Sequence, residues 1–147
     1  MTKNGTSTKP KRWKESLHGI GGLSYILFKN IPMRESKFGP VIEINEAILE
    51  DLAARALIEY RVPLRGLEVK FLRKVLQLSM DAFSEKLGLT AGAVFKWEQK
   101  SEEKLHPINE IAVRAFVADS LGIEISGKFS EMVSHEKTPK EIVLKAG

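Results

Sequence analysis

Two stretches in the first third of the chain have the residue pattern of β-strands. Residues 23–33 are rich in β-branched and aromatic side chains, and residues 41–44 alternate apolar and polar positions. A turn signal at residues 35–40 separates them, so the pattern predicts a small β-hairpin, and Pro32 indicates that the first strand ends early or lies at an edge. Apolar residues then recur at helical spacing over residues 46–60, after the capping residue Asn45.

Four further helices are predicted in the second half, where apolar residues recur every three or four positions. They cover residues 66–76, 80–87, 91–99 and 108–121. Ser79 and Thr90 are placed to cap the second and third of these helices, Gly88 permits the turn between them, and Gly122 ends the fourth. The predicted fold class is therefore mostly α (α+β), with a four-helix domain preceded by a small β-hairpin and a helix.

This pattern divides the chain into four predicted segments. Residues 1–20 are expected to be a basic flexible arm, because residues 1–14 carry five lysines and arginines and no acid. Residues 21–62 hold the small hairpin with its helix, and residues 63–125 hold the helical domain. Residues 126–147 form a C-terminal tail, in which residues 141–145 fit either a late strand or a disordered end.

The charge and the residue types narrow the class of protein. The formal net charge of +4 favours polyanionic partners, since cations that neutralise phosphates release counterions. The absence of cysteine excludes disulfides and cysteine-ligated zinc and fits a reducing compartment. No apolar stretch approaches the ~18 residues of a membrane span. The expected location is the cytoplasm, in association with the nucleoid, without a membrane partner.

Catalytic chemistry is not indicated by any motif. His18, His106 and His135 are scattered, with no metal-ligand spacing between them. The glycines at residues 19–22 lack the length and the strand-to-helix context of a phosphate-binding loop. The chain is therefore expected not to be an enzyme, with no catalytic residue, no metal ligand and no cofactor.

A set of residues in the helical half carries a resemblance to a known family. They are Leu72-Arg73, Leu78-Ser79, Ala82-Phe83, Leu87-Gly88-Leu89-Thr90, Val94, Trp97-Glu98 and Pro107. With these residues, the segment 66–123 resembles the lambda-repressor-like, or XRE-type, helix-turn-helix family. The resemblance implies a four-helix lambda-repressor-like domain that binds double-stranded DNA as a homodimer, places its third helix in the major groove and represses transcription.

The resemblance also implies roles for single residues. Arg73 and Glu98 correspond to a structural pair that ties the first helix to the third. The base-reading positions fall on Ala91, Gly92, Ala93, Phe95 and Lys96. Only Lys96 among them can donate a hydrogen bond to a base edge, whereas Ala91 and Phe95 can contact thymine methyl groups. Ser79 and Thr90 are helix caps that can contact phosphates as well. Lys100 and Lys104 are either phosphate contacts or ordinary loop lysines.

Two alternative functions stay open from the sequence. The upstream segment and the entry at residues 64–74 resemble MqsA-type antitoxins, although those proteins carry cysteine zinc ligands that this chain lacks. The first alternative is thus an antitoxin of a type II toxin-antitoxin system, whose N-terminal part masks a toxin while its C-terminal half autoregulates the operon. The second is a helix-turn-helix retained for protein interaction, which an exposed Phe95 would suit.

Overall fold

A four-stranded mixed sheet and six helices make up the part of the chain that the structure, a computed structural model, describes, namely residues 11–147. In chain order the elements are β1 (Arg12–Ile20), β2 (Leu23–Ser36), β3 (Gly39–Ile42), α1 (Glu46–Glu59), α2 (Gly66–Val75), α3 (Met80–Lys86), α4 (Ala93–Gln99), α5 (Pro107–Leu121), α6 (Phe129–Met132) and β4 (Ile142–Lys145). The molecule is an α+β protein.

Strand β2 is the centre of the sheet and pairs with all three other strands. It is antiparallel to β1 and β3 and parallel to β4. Strand β3 pairs with the last residues of β2, at Met33–Ser36, and β4 pairs with Ile26–Lys29. Since β1 runs along β2 for nearly its whole length, β3 and β4 occupy separate stretches of the opposite edge.

A bulge in β2 keeps the apolar side chains of the sheet on one face. Glu15 pairs with Ile31 but Leu17 pairs with Phe28, so β2 carries one extra residue here, where Asn30 has a φ of 61°. The bulge resets the alternation, and Phe28 and Ile31 are both buried on the inner face. Lys29 and Asn30, which lie between them in sequence, are exposed.

The predicted fold class is wrong, because the helices do not form a separate four-helix lambda-repressor-like bundle behind a small hairpin. Helices α2–α5 begin and end within two residues of their predicted positions. Their packing differs from the prediction, since α1 packs against α2, α5 and β4. One hydrophobic core joins the sheet to the helices, and it includes Leu23, Ile26, Phe28, Leu49, Leu57, Leu72, Val113 and Val117. The physical reason is that α1 is apolar on more than one side, with Leu49, Ala53, Ala54 and Leu57 all buried.

The two ends of the described chain are also more ordered than the sequence indicates. Residues 12–20, assigned to a flexible arm, form β1 instead. Residues 1–10 of that arm lie outside the described residues. Residues 126–147, assigned to a tail, contain α6 and β4, so the strand alternative for residues 141–145 is confirmed. The sequence does not predict β1, because this strand pairs only with β2 and is largely exposed. Its residues therefore lack the apolar alternation of a half-buried strand.

Candidate nucleic-acid interface

The turn between α3 and α4 sets where α4 begins. The Ser79 hydroxyl caps α3 by accepting a hydrogen bond from the backbone N–H of Ala82. Gly88 has a φ of 73° and Gly92 a φ of 89°, both in the left-handed region that glycine tolerates. Helix α4 begins at Ala93 with Gly92 as its N-cap, so the prediction that Thr90 caps this helix is wrong.

The predicted Arg73–Glu98 contact is present and largely buried. Arg73 Nε and Nη2 donate to the two carboxylate oxygens of Glu98 at 2.7 and 2.9 Å, and Arg73 Nη1 donates to the Leu78 carbonyl at 2.9 Å. The side chains are 11% and 8% exposed. Hydrogen bonding to Glu98 raises the pKa of Arg73. The pair joins α2 to α4 and also holds the chain that leads into α3.

A second contact between α2 and α4 depends on a glycine. Gly66 is the first residue of α2, and a Cβ there would overlap the carbonyl oxygen of Trp97 and lie 2.9 Å from that of Lys100. These are backbone atoms at the end of α4, so they cannot rotate away. The backbone of α2 and the end of α4 therefore approach each other as closely as a hydrogen side chain permits.

Gly66→Ala is expected to lower the free energy of unfolding by about 2 kcal/mol, because the added methyl group must push two backbone segments apart. Chemical denaturation measures the loss. Gly127→Ala is the matched control, since no atom lies within 4 Å of its Cβ position. Equal stability of the two variants would contradict the close approach of α2 and α4.

The outward face of α4 carries the predicted base-reading residues. Phe95 is 48% exposed and Lys96 is exposed, whereas Val94 points into the core. Ala93 lies in the first turn of α4, and Ala91 and Gly92 lie in the preceding turn rather than in the helix. The structure thus brings the five predicted residues together on one short turn and helix, with small residues at its start.

A basic cleft of about 300 Å³ lies where α4 ends and α5 begins. Its polar lining consists of Lys96, Lys100, Lys104, His106 and Asn109, together with Glu103. Sequence reasoning did not select His106 and Asn109 for this site. His106 caps α5 through Nδ1, which accepts from the Ile108 N–H at 3.4 Å, and this capping position is the signal that could have indicated the site. The positive end of the α5 dipole adds to the lysine charges.

The three lysines of this cleft differ in whether their ammonium groups already lie beside a carboxylate. Lys104 Nζ lies 3.4 Å from the buried carboxylate of Glu110, and Lys100 Nζ lies 4.0 Å from Glu103. Lys96 forms no ion pair with any residue between 11 and 147. Lys96 belongs both to the outward face of α4 and to the cleft, so it connects the two parts of the candidate interface.

Two buried carboxylates fix the elements behind this interface. Glu110 Oε2 accepts from the Leu64 N–H at 2.7 Å, and Glu110 Oε1 lies 3.3 Å from Arg114 Nη2. Burial lowers the pKa of Arg114, and Glu110 opposes that shift. Arg114 Nη1 and Nη2 also donate to the carbonyls of Leu57 and Val62, at 3.4 and 3.1 Å. This network holds the end of α1 and the connector to α2 against α5.

The second carboxylate, Glu68, connects the sheet to α2. Tyr25 Oη donates to Glu68 Oε2 at 2.9 Å, and Arg65 donates to both oxygens of Glu68. Burial, reinforced by the negative charge of Glu68, raises the pKa of Tyr25, so this phenol stays protonated. Arg65 also donates to Glu102 at 3.1 Å, in the loop that follows α4. These contacts set the position of α2, and through α2 that of α4.

Within residues 11–147 no three His, Cys, Asp or Glu side chains are grouped so as to hold a metal ion. Over the same residues, no helix has the length and apolar character needed to cross a membrane.

Comparison of the chain with family models, curated proteins and solved structures finds no match in any of the three. The resemblance to the XRE-type family therefore stays a prediction. A function has to be inferred from the residues and their geometry.

Proposed function

We propose that this chain is a transcriptional regulator that binds double-stranded DNA in a sequence-specific way, with α4 in the major groove. The observation that carries the proposal is the position of Lys96. Its side chain is exposed on α4 and also lines the basic cleft with Lys100 and Lys104. A base-reading face and a phosphate-binding cleft that share one residue suit a groove flanked by a phosphate backbone.

The chemistry of recognition follows from the residues of α4 and of the turn before it. Lys96 donates to the O6 and N7 acceptors of guanine, which is a common specific contact in the major groove. Phe95 and Ala91 contact thymine methyl groups, and the small residues Gly92 and Ala93 let the backbone approach the bases. Phosphates lie in the cleft, against Lys100 and His106.

The surroundings of α4 suit this task. The Arg73–Glu98 pair and the contact at Gly66 fix α4 on α2, so the reading face is rigid before DNA arrives. In this proposal the chain acts as a homodimer on a palindromic operator in the cytoplasm, with half-sites about 34 Å apart, and represses transcription.

One observation favours a second candidate function. Phe95 is a large apolar side chain that is 48% exposed at the centre of the proposed reading face. Exposed aromatic residues are frequent anchors of protein interfaces. The second candidate is therefore an interaction module, such as an antitoxin that holds a toxin, in which Phe95 is buried by a protein partner.

The test measures Lys96→Ala on a site obtained by selection from random duplexes and on a scrambled duplex. The variant is expected to lose about 5- to 150-fold in affinity for the selected site, which corresponds to about 1–3 kcal/mol, and much less for the scrambled one. Lys128→Ala removes the same charge from an exposed position before α6 and is the matched control.

The interaction module gives a different result. In that case Lys96→Ala binds the selected duplex as tightly as the control variant does, whereas Phe95→Ala abolishes capture of the protein partner. Equal affinities of Lys96→Ala and Lys128→Ala for the selected site would therefore refute base reading through α4.

A further inference from the structure

The outer face of the sheet, on the side away from the helical core, is strongly basic. The inner face buries Phe28, Ile31 and Ile142, and the residues that alternate with them point outward. The outward cations come from three strands, and they are Arg12, Lys14, Lys29, Arg34 and Lys145. We call these five residues the sheet cations.

Four of the sheet cations are paired with a like charge across neighbouring strands. Arg12 is the register partner of Arg34, and Lys29 is the register partner of Lys145. Directly opposite side chains lie on the same face of a sheet, and like charges in that position destabilise it. A face that served only to be solvated would be better satisfied by mixed charges, so the arrangement indicates an anionic partner.

One of the five sheet cations has an acidic partner, and a second acid lies beside His18, which is not one of the five. Arg12 Nε donates to Glu43 at 2.8 Å, and His18 Nε2 lies 3.1 Å from Glu141. The other four sheet cations form no ion pair with any residue of the described range. A row of uncompensated positive charge therefore runs from Lys29 and Lys145 to Lys14 and Arg34.

An exposed aromatic ring lies beyond one end of this row. Phe38 is 88% exposed in the turn between β2 and β3, and Lys37 Nζ lies 5.2 Å from its ring centre. The Ser36 hydroxyl accepts from the Phe38 N–H at 3.1 Å and donates to the Gly39 carbonyl at 2.7 Å. The turn is thus held in one shape that presents the ring to solvent.

We propose that the outer sheet face binds single-stranded nucleic acid, with backbone phosphates along the sheet cations and one unpaired base stacked on Phe38. Cations that follow the backbone and an aromatic ring that accepts any base are the two elements of sequence-tolerant single-strand binding. This surface is formed by the sheet and not by α4, so the inference goes beyond the proposed function and does not depend on it.

The surface has one exposed ring, Phe38, and this favours an unpaired base over two other anionic partners, a nucleic-acid duplex and an anionic bilayer. In a duplex, a wedge must first unstack a base step, and the gain from one stacked ring does not exceed that cost. In an anionic bilayer, one phenylalanine buries too little apolar area for stable attachment, since even a whole myristoyl chain binds only marginally. An unpaired base can stack on the ring without first being unstacked from a duplex, and it needs no larger apolar area.

The test measures fluorescence anisotropy of a labelled 15-nucleotide oligothymidine with the full chain. Lys29→Gln combined with Lys145→Gln is expected to reduce the slope of log affinity against log salt by about 1.4, because each phosphate contact contributes about 0.7 for a single strand. Phe38→Ala is expected to weaken binding about 10-fold with the slope unchanged. Lys86→Gln combined with Lys128→Gln removes the same charge from exposed positions off the sheet and is the control.

The fold of each variant is checked by thermal unfolding. The Lys29 and Lys145 double variant should melt at the same temperature as the wild type or higher, because it removes a like-charge pair. The proposal would be overturned if the Lys29 and Lys145 double variant bound oligothymidine as tightly as the control variant does. A loss confined to a duplex or to phosphatidylserine vesicles would also overturn it, since either result assigns the face to another partner. None of the residues changed in this test belongs to α4 or to the basic cleft, so its result is separate from that of the Lys96→Ala test.

Discussion

Glu110→Ala is expected to lower the free energy of unfolding by about 3–5 kcal/mol, the largest effect of any single change considered for this chain. The variant leaves the Arg114 guanidinium buried without its counter-ion and removes the acceptor of the Leu64 N–H. Arg114 is only 1% exposed and its Nε already has no hydrogen-bond partner, so water cannot replace the lost carboxylate without opening the core. Urea denaturation followed by circular dichroism measures the change.

Two further variants identify the cause of that loss. Glu103→Ala removes an exposed carboxylate from the nearby loop and should cost less than about 1 kcal/mol. Glu110→Leu combined with Arg114→Met removes both charges and keeps similar volumes, so it should recover much of the stability lost in Glu110→Ala. If the double variant were as unstable as the single one, the loss would come from the unpaired backbone groups, such as the Leu64 N–H, and not from the buried charge.

Arg73→Ala is expected to lower the free energy of unfolding by about 3 kcal/mol and to impair the proposed DNA binding as well. The Glu98 carboxylate is only 8% exposed and would lose both of its hydrogen bonds from the guanidinium. Because Arg73 also donates to the Leu78 carbonyl, the chain entering α3 would loosen together with α4. Differential scanning calorimetry gives the stability, and a mobility shift on the selected duplex gives the binding.

The neighbouring Lys74→Ala is the control for this prediction, since Lys74 is exposed on the same helix turn. A double-mutant cycle with Glu98→Ala then isolates the coupling between the two side chains. Additive losses in that cycle would mean that the stability comes from helix packing and not from the pair. Reduced DNA binding by Arg73→Ala at a temperature where the variant is fully folded would show that the pair positions α4.

The helices of this chain were predictable because their signals are local. Apolar spacing and the capping residues Asn45 and Ser79 place α1 and α3, and both side chains accept the expected backbone hydrogen bond. The start of α4 was misplaced by two residues, since Thr90 and Gly92 are both acceptable N-caps and only the packed turn selects between them. The Arg73–Glu98 contact was predicted from the resemblance to the XRE-type family, because the spacing of the two residues in the sequence does not indicate it.

The sheet and the buried charges were not predictable from local signals. The partner of Ile26 in the sheet is Ile142, and no short-range pattern connects them. Glu110 and Arg114 are four residues apart on one helix, a spacing that indicates an ordinary surface ion pair, and only the tertiary packing buries them. The residues of the basic cleft were predicted in part: Lys96, Lys100 and Lys104 lie within or just after the predicted third helix, whereas His106 and Asn109 belong to the start of the next helix.

The pairing of β4 with β2 has a consequence for the order in which the molecule folds. Leu27 and Val143 are partners in the sheet, yet all six helices of the described residues lie between them in sequence. Closing so long a segment costs chain entropy before the strand pairing can stabilise the fold. Sheets whose paired strands are distant in sequence therefore form slowly. The hairpin of β1 and β2 and the α2–α4 segment are local and should form first, and β4 should dock last. During synthesis, part of one edge of β2 therefore stays unpaired until β4 has left the ribosome. An unpaired strand edge can pair with another chain, so the protein is most prone to aggregation in this interval.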